Sequence, residues 1–316
     1  MITKPTTFVL GAGASTHYGF PTGENLLKEI CENLSPKFIA EGYGLSGMQV
    51  NTNSLHYTLL MAGYNEDYIK GFQNAIEKSE VYSIDSFLEV RKEYISIGKI
   101  CILYTLLRYE ESSVENKNSN WYKIIWNKIK SERFEDLKNN RISFITYNYD
   151  RSLEHYLVSA MMSLYGKPYE DCYQLLNDEF KILHLHGALG TLDSQDGEYL
   201  EYGKSNLKTE DYKRNSHSIR IIHENIDNDH VFMESHKILQ NTSQIIFLGF
   251  GYNQVNINRL KLNQSTAKIY GTCKGFTRNE IIEILERNSK IHPLVLDPSD
   301  VGFDCQEYIR EKIKFV

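Results

Sequence analysis

Short apolar runs, each ending in glycine or in a polar motif, constrain the fold of this chain more than any other feature. Such runs, bounded by turn residues, are typical of β-strands. Helical patterns separate most of them, which favours βαβ units and a parallel sheet. We therefore predict an α/β fold with a doubly wound, mostly parallel, Rossmann-like sheet. The predicted strands are Thr7–Leu10, Arg141–Thr146, Phe180–Leu185, Gln244–Leu248, Ala267–Tyr270 and Ile291–Leu296.

Two long segments interrupt this alternation. Residues from about 35 to 140 have little strand character and instead repeat apolar residues at helical spacing. We predict that this segment is a helical module inserted into the sheet domain. Residues from about 190 to 228 are rich in Gly, Asp, Asn and Lys, which indicates an irregular surface insert. The expected organisation is a single domain over residues 1–316 with these two inserts.

Composition excludes some classes of partner. The chain has 316 residues, 41% of them hydrophobic and 24% charged, as in ordinary globular proteins. A net charge of −6 provides no overall basic surface for direct nucleic-acid binding. The longest mostly apolar run, Ile100 to Leu107, is too short to span a bilayer, and the N-terminus lacks the apolar core of a signal peptide. We expect a cytoplasmic protein with no nucleic-acid or membrane partner.

The cysteines do not form a zinc-binding pattern. No two of them are close enough for a Cys-x-x-Cys unit, so we predict scattered reduced thiols, no zinc module and no metal cofactor. A chelator should therefore leave the fold and any activity unchanged. Stoichiometric zinc in the purified protein, measured by elemental analysis, would contradict this prediction. The cysteines are Cys31, Cys101, Cys172, Cys273 and Cys305.

Glycines follow several of the predicted strands. Gly11-Ala12-Gly13-Ala14-Ser15 follows the first strand and precedes a helix, the context in which backbone amides approach a pyrophosphate. Thr16 stands where the dinucleotide fingerprint has a third glycine, so a tight strand-to-helix turn is the alternative. Gly249-Phe250-Gly251 and Gly271-Thr272 repeat the strand-then-glycine pattern and fit either a nearby ligand or ordinary loops.

Polar side chains follow the second predicted strand. Thr146, Asn148 and Asp150 lie there, and Asn can hold a water or a ribose hydroxyl while Asp can accept a hydrogen bond from an amide. The alternative is an Asx turn that caps the helix beginning near Arg151. Ligands of open parallel sheets bind outside the carboxyl ends of the strands. These motifs therefore predict one crevice that binds a phosphate-bearing nucleotide.

Two histidines end the third predicted strand. His184 and His186 are two residues apart and share a face while the strand continues, as in a metal-binding pair, but no carboxylate or cysteine lies nearby in the sequence at ligand spacing. His186, directly before Gly187 at the exit of the strand, is the better candidate for chemistry, and we expect it, like Asn148, to lie at an exposed strand end. The alternative is a histidine that only packs in the core.

Taken together and in this order, these motifs resemble those of the sirtuin (silent information regulator two) family. The family has, in order, Gly-Ala-Gly-x-Ser, Gly-x-Pro, Thr-x-Asn-x-Asp, His-Gly and a late strand ending in glycine. The matching segments here are Gly11 to Ser15, Gly19-Phe20-Pro21, Thr146 to Asp150, His186-Gly187 and Ile245 to Gly249.

The resemblance implies NAD as the ligand and substrate, and it implies roles for individual residues. Asn148 would orient water and ribose, Asp150 would meet the nicotinamide carboxamide, and His186 would bind or deprotonate a ribose hydroxyl. Asn148 and His186 are thus the expected catalytic residues. The expected NAD-binding residues are Gly11, Ala12, Gly13, Ser15, Phe20, Pro21, Thr146, Asp150, Gly249, Phe250 and Gly271.

Two departures from the family bear on the activity. Protein deacylases of the family carry two Cys-x-x-Cys pairs and an Asp-Phe-Arg run, whereas this chain has neither pair and has Thr22-Gly23-Glu24 after the proline. The Asn-Tyr-Asp motif and the long helical insert look more like bacterial sirtuin-like NADases of anti-phage defence. That likeness implies an NAD hydrolase acting in abortive infection. A module that only senses NAD or ADP-ribose, and a protein deacylase, are the alternatives.

An enzyme that drains cellular NAD must be held inactive until it is needed. No sensor domain is recognised in the sequence, so we expect control through a homo-oligomer or through a separate partner protein, for which the resemblance suggests a HerA-type ATPase or an Argonaute-like protein. We expect the apolar helical faces near Ile84 to Leu107 or Trp121 to Ile129 to form the contact. The alternative is that these faces pack only within the chain.

Overall fold

The computed structural model describes residues 1–40, 48–114, 120–221, 229–288 and 294–315. The chain divides into two compact units. The first unit comprises Met1–Tyr18, Asn116–His186 and Asn225–Val316, and the second comprises Gly19–Glu115 and Gly187–Glu224. The division of the chain into one domain with two inserts stays a prediction.

The first unit is built on a six-stranded sheet in which every pair of neighbours is parallel. Two further strands pair antiparallel in the second unit. In chain order the strands are β1 (Thr6–Leu10), β2 (Phe38–Ala40), β3 (Met48–Val50), β4 (Ile142–Thr146), β5 (Ile182–His184), β6 (Gln244–Leu248), β7 (Lys268–Gly271) and β8 (Leu294–Val295). Residues 291–293 of the last predicted strand lie outside the described residues.

The strand order identifies a doubly wound fold. The order across the sheet is β5-β4-β1-β6-β7-β8, so the chain builds outward from β1 on one side and returns to build outward from β6 on the other. This is the strand order of the dinucleotide-binding Rossmann fold, with its topological switch point between β1 and β6. The predicted α/β class with a parallel, Rossmann-like sheet is confirmed.

The strands are aligned so that their carboxyl ends lie level. Leu10, the last residue of β1, pairs with Thr146 of β4 and with Leu248 of β6. Thr146 in turn pairs with His184, the last residue of β5. Polar residues that follow these strands therefore emerge at one edge of the sheet. The apolar side chains of β1, β4 and β6 are buried beneath them and form the core.

Helices connect the strands and cover the sheet. Those of the first unit include α7, which begins two residues after Asp150, and α12 and α13, whose first turns are closed by capping boxes. In chain order the helices are α1 (Gly23–Leu34), α2 (Leu55–Met61), α3 (Glu66–Glu77), α4 (Ile84–Val90), α5 (Ile95–Ser113), α6 (Trp121–Ile129), α7 (Ser152–Tyr165), α8 (Tyr169–Leu175), α9 (Thr209–Asn215), α10 (His230–Gln240), α11 (Gln254–Arg259), α12 (Arg278–Arg287) and α13 (Cys305–Lys312).

The second unit contains α1 to α5, α9 and the β2–β3 pair. Helix α5 is buried along most of its length, from Ile97 to Leu107. Of the region predicted as an irregular insert, residues 209–215 form α9 and residues 222–228 lie outside the described residues. Among the helices described, none combines the length and the apolar character needed to cross a membrane.

The apolar faces expected to contact another protein are buried by the chain itself. Trp121, Ile125 and Ile129 of α6 have no exposed surface, and the apolar residues of α5 from Ile97 to Leu107 are at most 5% exposed. For these residues of α5 and α6 the predicted intermolecular contact is therefore wrong, whereas Val90, in the same predicted segment, is 78% exposed. Helical periodicity shows that a face is buried but does not show what buries it.

Candidate functional site

Three glycines join the loops that follow β1 and β6, at the switch point of the sheet. The Gly11 amide donates to the Leu248 carbonyl at 3.0 Å, and the Gly13 amide donates to the Gly249 carbonyl at 3.0 Å. Gly249 has a φ of +56°, and a Cβ there would lie 2.1 Å from the Ala14 nitrogen. A Cβ on Gly11 would lie 2.6 Å from the Gly249 carbonyl oxygen. Only glycine allows the two backbones to approach this closely.

The loop after β7 joins the same assembly. A Cβ on Gly271 would lie 2.0 Å from the hydroxyl of Tyr252, which donates to the Thr272 carbonyl at 3.0 Å. The Thr272 hydroxyl in turn accepts from the Gly249 amide at 2.8 Å. The predicted glycines after β1, β6 and β7 thus hold neighbouring loops together at the carboxyl ends of the strands. Their contact with NAD stays a prediction.

Asn148 lies between the loops after β4 and β1. Its side-chain nitrogen donates to the Gly11 carbonyl at 3.0 Å and to the Ser15 hydroxyl at 3.1 Å. The orientation of the amide follows from these contacts, because a carbonyl such as that of Gly11 can only accept. Both amide hydrogens are therefore in use. Oδ1 is left as the atom through which the half-buried Asn148 can engage a substrate.

Asp150 is the centre of a buried hydrogen-bond network. Its Oδ2 accepts from the Ser15 hydroxyl at 2.8 Å, and its Oδ1 accepts from the amide of Ser152 at 3.2 Å and from the Ser152 hydroxyl. The Asx turn foreseen as the alternative is thus present at the start of α7. Burial raises the pKa of Asp150, although the hydrogen bonds from Ser152 and Ser15 oppose this rise. Recognition of the nicotinamide carboxamide by Asp150 stays a prediction.

Two aromatic residues that motif analysis did not single out support this network. The Trp121 indole donates to the Ala14 carbonyl at 2.8 Å and so anchors the loop after β1. The Tyr122 hydroxyl lies 2.8 Å from that of Ser152. Because Ser152 donates its own hydrogen to Asp150, Tyr122 is the donor in this contact. Helical periodicity marked Trp121 as apolar and gave no sign of its polar contact.

His186 is buried at the exit of β5, with only 4% of its surface exposed. The expectation that it lies at an exposed strand end is therefore wrong. Its ring and that of Tyr147 form a T-shaped pair at a centroid distance of 5.0 Å, and the ring of Tyr149 lies 6.2 Å away. Tyr147 also packs on Phe250, 5.3 Å away. The tyrosines on either side of Asn148 thus enclose the predicted catalytic histidine.

Two of the predicted NAD-binding residues belong to the second unit. Phe20 is buried there, with its ring 6.1 Å from that of Tyr109, and Pro21 is half-buried. The hydroxyl of the neighbouring Thr22 accepts from the Asn25 amide and caps α1. Binding of NAD by Phe20 and Pro21 stays a prediction.

A carboxylate contacts His184, which the sequence did not lead us to expect. His184 Nε2 lies 2.5 Å from Glu154 Oε1, and His184 Nδ1 lies 2.8 Å from the Asn148 carbonyl oxygen. Burial lowers the pKa of His184, but the Glu154 carboxylate and the Asn148 carbonyl outweigh burial, so the pKa is raised overall. Glu154 lies 30 residues before His184 in the chain, so no local spacing indicates the pair.

This pair should make stability depend on pH. Because the folded-state pKa of His184 is raised, its contribution is fully present below the ordinary histidine value of about 6.5 and is lost as the pH rises through the raised value. Asp150 also favours the charged imidazole. We expect the stability advantage of the wild type over Glu154→Gln to shrink as the pH rises from the ordinary histidine value of about 6.5 through the raised pKa of His184. Denaturant unfolding across this range measures the difference, and a constant difference would contradict the prediction.

Within the described segments, no group of three or more His, Cys, Asp and Glu side chains is arranged to hold a metal ion. His184 and His186, considered above as a metal pair, instead contact Glu154 and Tyr147, respectively. The absence of a metal cofactor stays a prediction.

One comparison with known proteins bears on this site. Residues 142–272 match the family model of the SIR2-like domain. The match begins at β4 and extends past the end of β7, so it includes Asn148, Asp150, His186 and Gly249. The sirtuin-like resemblance inferred from the sequence is thereby confirmed. No curated protein matches the chain.

Proposed function

We propose that this chain, which carries a SIR2-like domain, is an NAD glycohydrolase that cleaves NAD to nicotinamide and ADP-ribose. A SIR2-like domain fits NAD-related chemistry in general. The carboxyl edge of the sheet, with its switch point between β1 and β6, is where doubly wound folds bind dinucleotides. The proposal assigns NAD to this edge, over the loops that contain Gly11 and Gly249.

The reaction makes modest demands on the protein. The bond between the anomeric carbon and the nicotinamide nitrogen breaks, its electron pair leaves with nicotinamide, and water adds to the carbon and loses a proton. The transition state carries positive charge on the ribose. The site must hold NAD in place, stabilise that charge and admit one water molecule. None of these steps needs a second substrate besides water.

The hydrogen bonding of Asn148 is the observation that carries the proposal. Its two side-chain amide hydrogens are donated to the Gly11 carbonyl and the Ser15 hydroxyl. Asn148 can therefore contact the substrate only as an acceptor, through Oδ1. An acceptor can orient a ribose hydroxyl or the attacking water, and its partial negative charge favours an oxocarbenium-like ribose. A module that only senses NAD has no need of such a group.

His186 is assigned the second role in the mechanism. We propose that it binds a ribose hydroxyl and takes a proton from it as charge develops. Its burial against Tyr147 restricts the ring and limits access of bulk water. A positioned histidine in a shielded site is suited to general-base work.

The direct test is incubation of the purified protein with NAD, with products separated by chromatography. We expect nicotinamide and ADP-ribose in equal amounts. Binding of NAD or ADP-ribose without nicotinamide release would favour the sensing module. Nicotinamide release only in the presence of an acyl-lysine peptide would favour a deacylase. Either result overturns the glycohydrolase proposal.

The proposal extends to biological role. We propose a cytoplasmic anti-phage effector, acting by abortive infection, that is kept inactive as a homo-oligomer or in a complex with a separate sensor or ATPase. The support is the likeness to sirtuin-like NADases stated above. Light scattering of the purified chain, with NAD cleavage measured on the same sample, tests the control. A monomer that is fully active by itself would remove this part of the proposal.

A further inference from the structure

We propose that His184, held in place by Glu154, is a positioning residue. It fixes the position of the Asn148 backbone and thereby the orientation of the Asn148 side-chain amide. The inference rests on the proposed function, since it concerns the acceptor assigned to NAD cleavage. It adds a pair of residues outside the motifs that identify the site.

The geometry joins three elements of the first unit. Glu154 lies in the first turn of α7, His184 ends β5, and Asn148 follows β4. The Asn148 carbonyl can only accept, so the 2.8 Å contact places a hydrogen on His184 Nδ1. The opposite ring nitrogen is held by Glu154 at 2.5 Å. A ring restrained at both nitrogens cannot rotate away from Asn148.

The burial of the pair indicates a specific role. The side chains of His184 and Glu154 are only 12% and 11% exposed, respectively. Removing a histidine and a carboxylate from water costs free energy that their attraction only partly offsets. An apolar pair would pack at this position without that cost. The retained polar contact supplies what an apolar pair lacks, namely a donor directed at the Asn148 carbonyl.

The contact restrains Asn148 on both sides of its α-carbon. The backbone amide of Asn148 donates to the Thr146 hydroxyl at 3.0 Å, while its backbone carbonyl accepts from His184. With both peptide groups fixed, the side chain leaves the backbone in one direction. The hydrogen bonds from Nδ2 to Gly11 and Ser15 then fix Oδ1. Release of the carbonyl would let this acceptor move, and displacement of a positioned group by about 1 Å can cost a hundredfold in rate.

Two substitutions of His184 test its contact with the Asn148 carbonyl separately from its contact with Glu154. In His184→Asn the amide nitrogen takes the place of Nδ1 and can still donate to the Asn148 carbonyl. In His184→Gln the amide reaches the place of Nε2. It can therefore contact Glu154 but no longer donates a hydrogen bond to the carbonyl of Asn148. Both variants lose the titratable ring. We expect kcat to fall at least about tenfold further in His184→Gln than in His184→Asn, with KM for NAD similar in both.

A second readout does not depend on catalysis. The side-chain amide of Asn148 gives a nuclear magnetic resonance signal, identified by its loss in Asn148→Asp. We expect slow hydrogen exchange of this amide in the wild type and in His184→Asn, and exchange at least about tenfold faster in His184→Gln. If the wild type does not cleave NAD, the proposed function fails while this measurement still tests the positioning. Equal exchange in the two variants overturns the positioning role.

Glu154 provides a matched pair that leaves His184 intact. Glu154→Gln keeps a hydrogen-bonding group beside Nε2, whereas Glu154→Leu removes it. Asn148 amide exchange should stay slow in the first variant and accelerate in the second. Thermal unfolding identifies any variant that does not fold. If one does not, the two variants of the other residue test the positioning role. Unchanged exchange in Glu154→Leu overturns the role of Glu154 as the group that holds the ring.

Discussion

Replacing Asn148 with Ala is expected to lower kcat for NAD cleavage at least about a hundredfold, the usual scale for a positioned catalytic group. The substitution removes Oδ1, the acceptor assigned to the ribose hydroxyl or the water. It also removes the donors to Gly11 and Ser15, so the loop after β1 loses two hydrogen bonds. Steady-state release of nicotinamide, followed by chromatography, measures the effect.

The control for this experiment is Asn127→Ala. Asn127 is exposed on α6, and its side chain donates to the carbonyl of Lys123 within the same helix. Its replacement should leave kcat unchanged. Asn148→Asp adds information, because an oxygen in the place of Nδ2 would face the Gly11 carbonyl, which cannot donate. We expect Asn148→Asp to lose activity although it keeps an acceptor in the place of Oδ1.

His186→Ala should lower turnover on the same scale, by at least about a hundredfold. Because His186 is buried against Tyr147, this variant should also lose some stability, unlike a substitution at an exposed strand end. Turnover must therefore be measured well below the unfolding temperature of the variant. Wild-type turnover in both Asn148→Ala and His186→Ala would show that the roles carried over from the family are wrong.

Replacing Gly249 with Ala is expected to lower the free energy of unfolding by more than about 3 kcal/mol. The new methyl group would lie 2.1 Å from the Ala14 nitrogen and 2.2 Å from the Gly13 carbonyl carbon. These are backbone atoms at the centre of the sheet edge, so no side chain can turn aside to make room. The φ of +56° adds strain for any residue with a Cβ. Denaturant or thermal unfolding measures the loss.

Gly251→Ala is the matched control, two residues further along the same loop. A Cβ on Gly251 meets no described atom within 4 Å, and its φ lies outside the left-handed region. The two variants make the same chemical change in the same loop. Equal stability of Gly249→Ala and Gly251→Ala would refute the packing role assigned to Gly249. A large loss confined to Gly249→Ala would support it.

The sequence by itself determined the class of fold and most of the strands. Apolar runs such as Gln244–Leu248 are bounded by turn residues, and helical patterns separate them, so local information is enough to predict a parallel α/β sheet. It also placed Asn148 and His186 at strand exits, because a residue that follows a strand must emerge at its end. Those inferences depend only on periodicity and on order along the chain.

Only the tertiary structure shows which elements are neighbours in space. Periodicity does not give strand order, so only the structure shows that the loops after β1 and β6 are neighbours and that Gly11, Gly13 and Gly249 pack together. The apolar stripe of α6 likewise predicted burial but not its source.

The hydrogen bonds of the site are also determined only by the tertiary structure. Asn148 meets Gly11 from 137 residues away, and His184 meets Glu154 from 30 residues away. Local sequence patterns extend over a helical turn or a strand and carry no information at such separations. The direction of each hydrogen bond, and with it the use of Asn148 as an acceptor, follows only when both partners are fixed in space. The sequence therefore determined which residues reach the edge of the sheet, and the tertiary structure determined which atoms of those residues remain for a substrate.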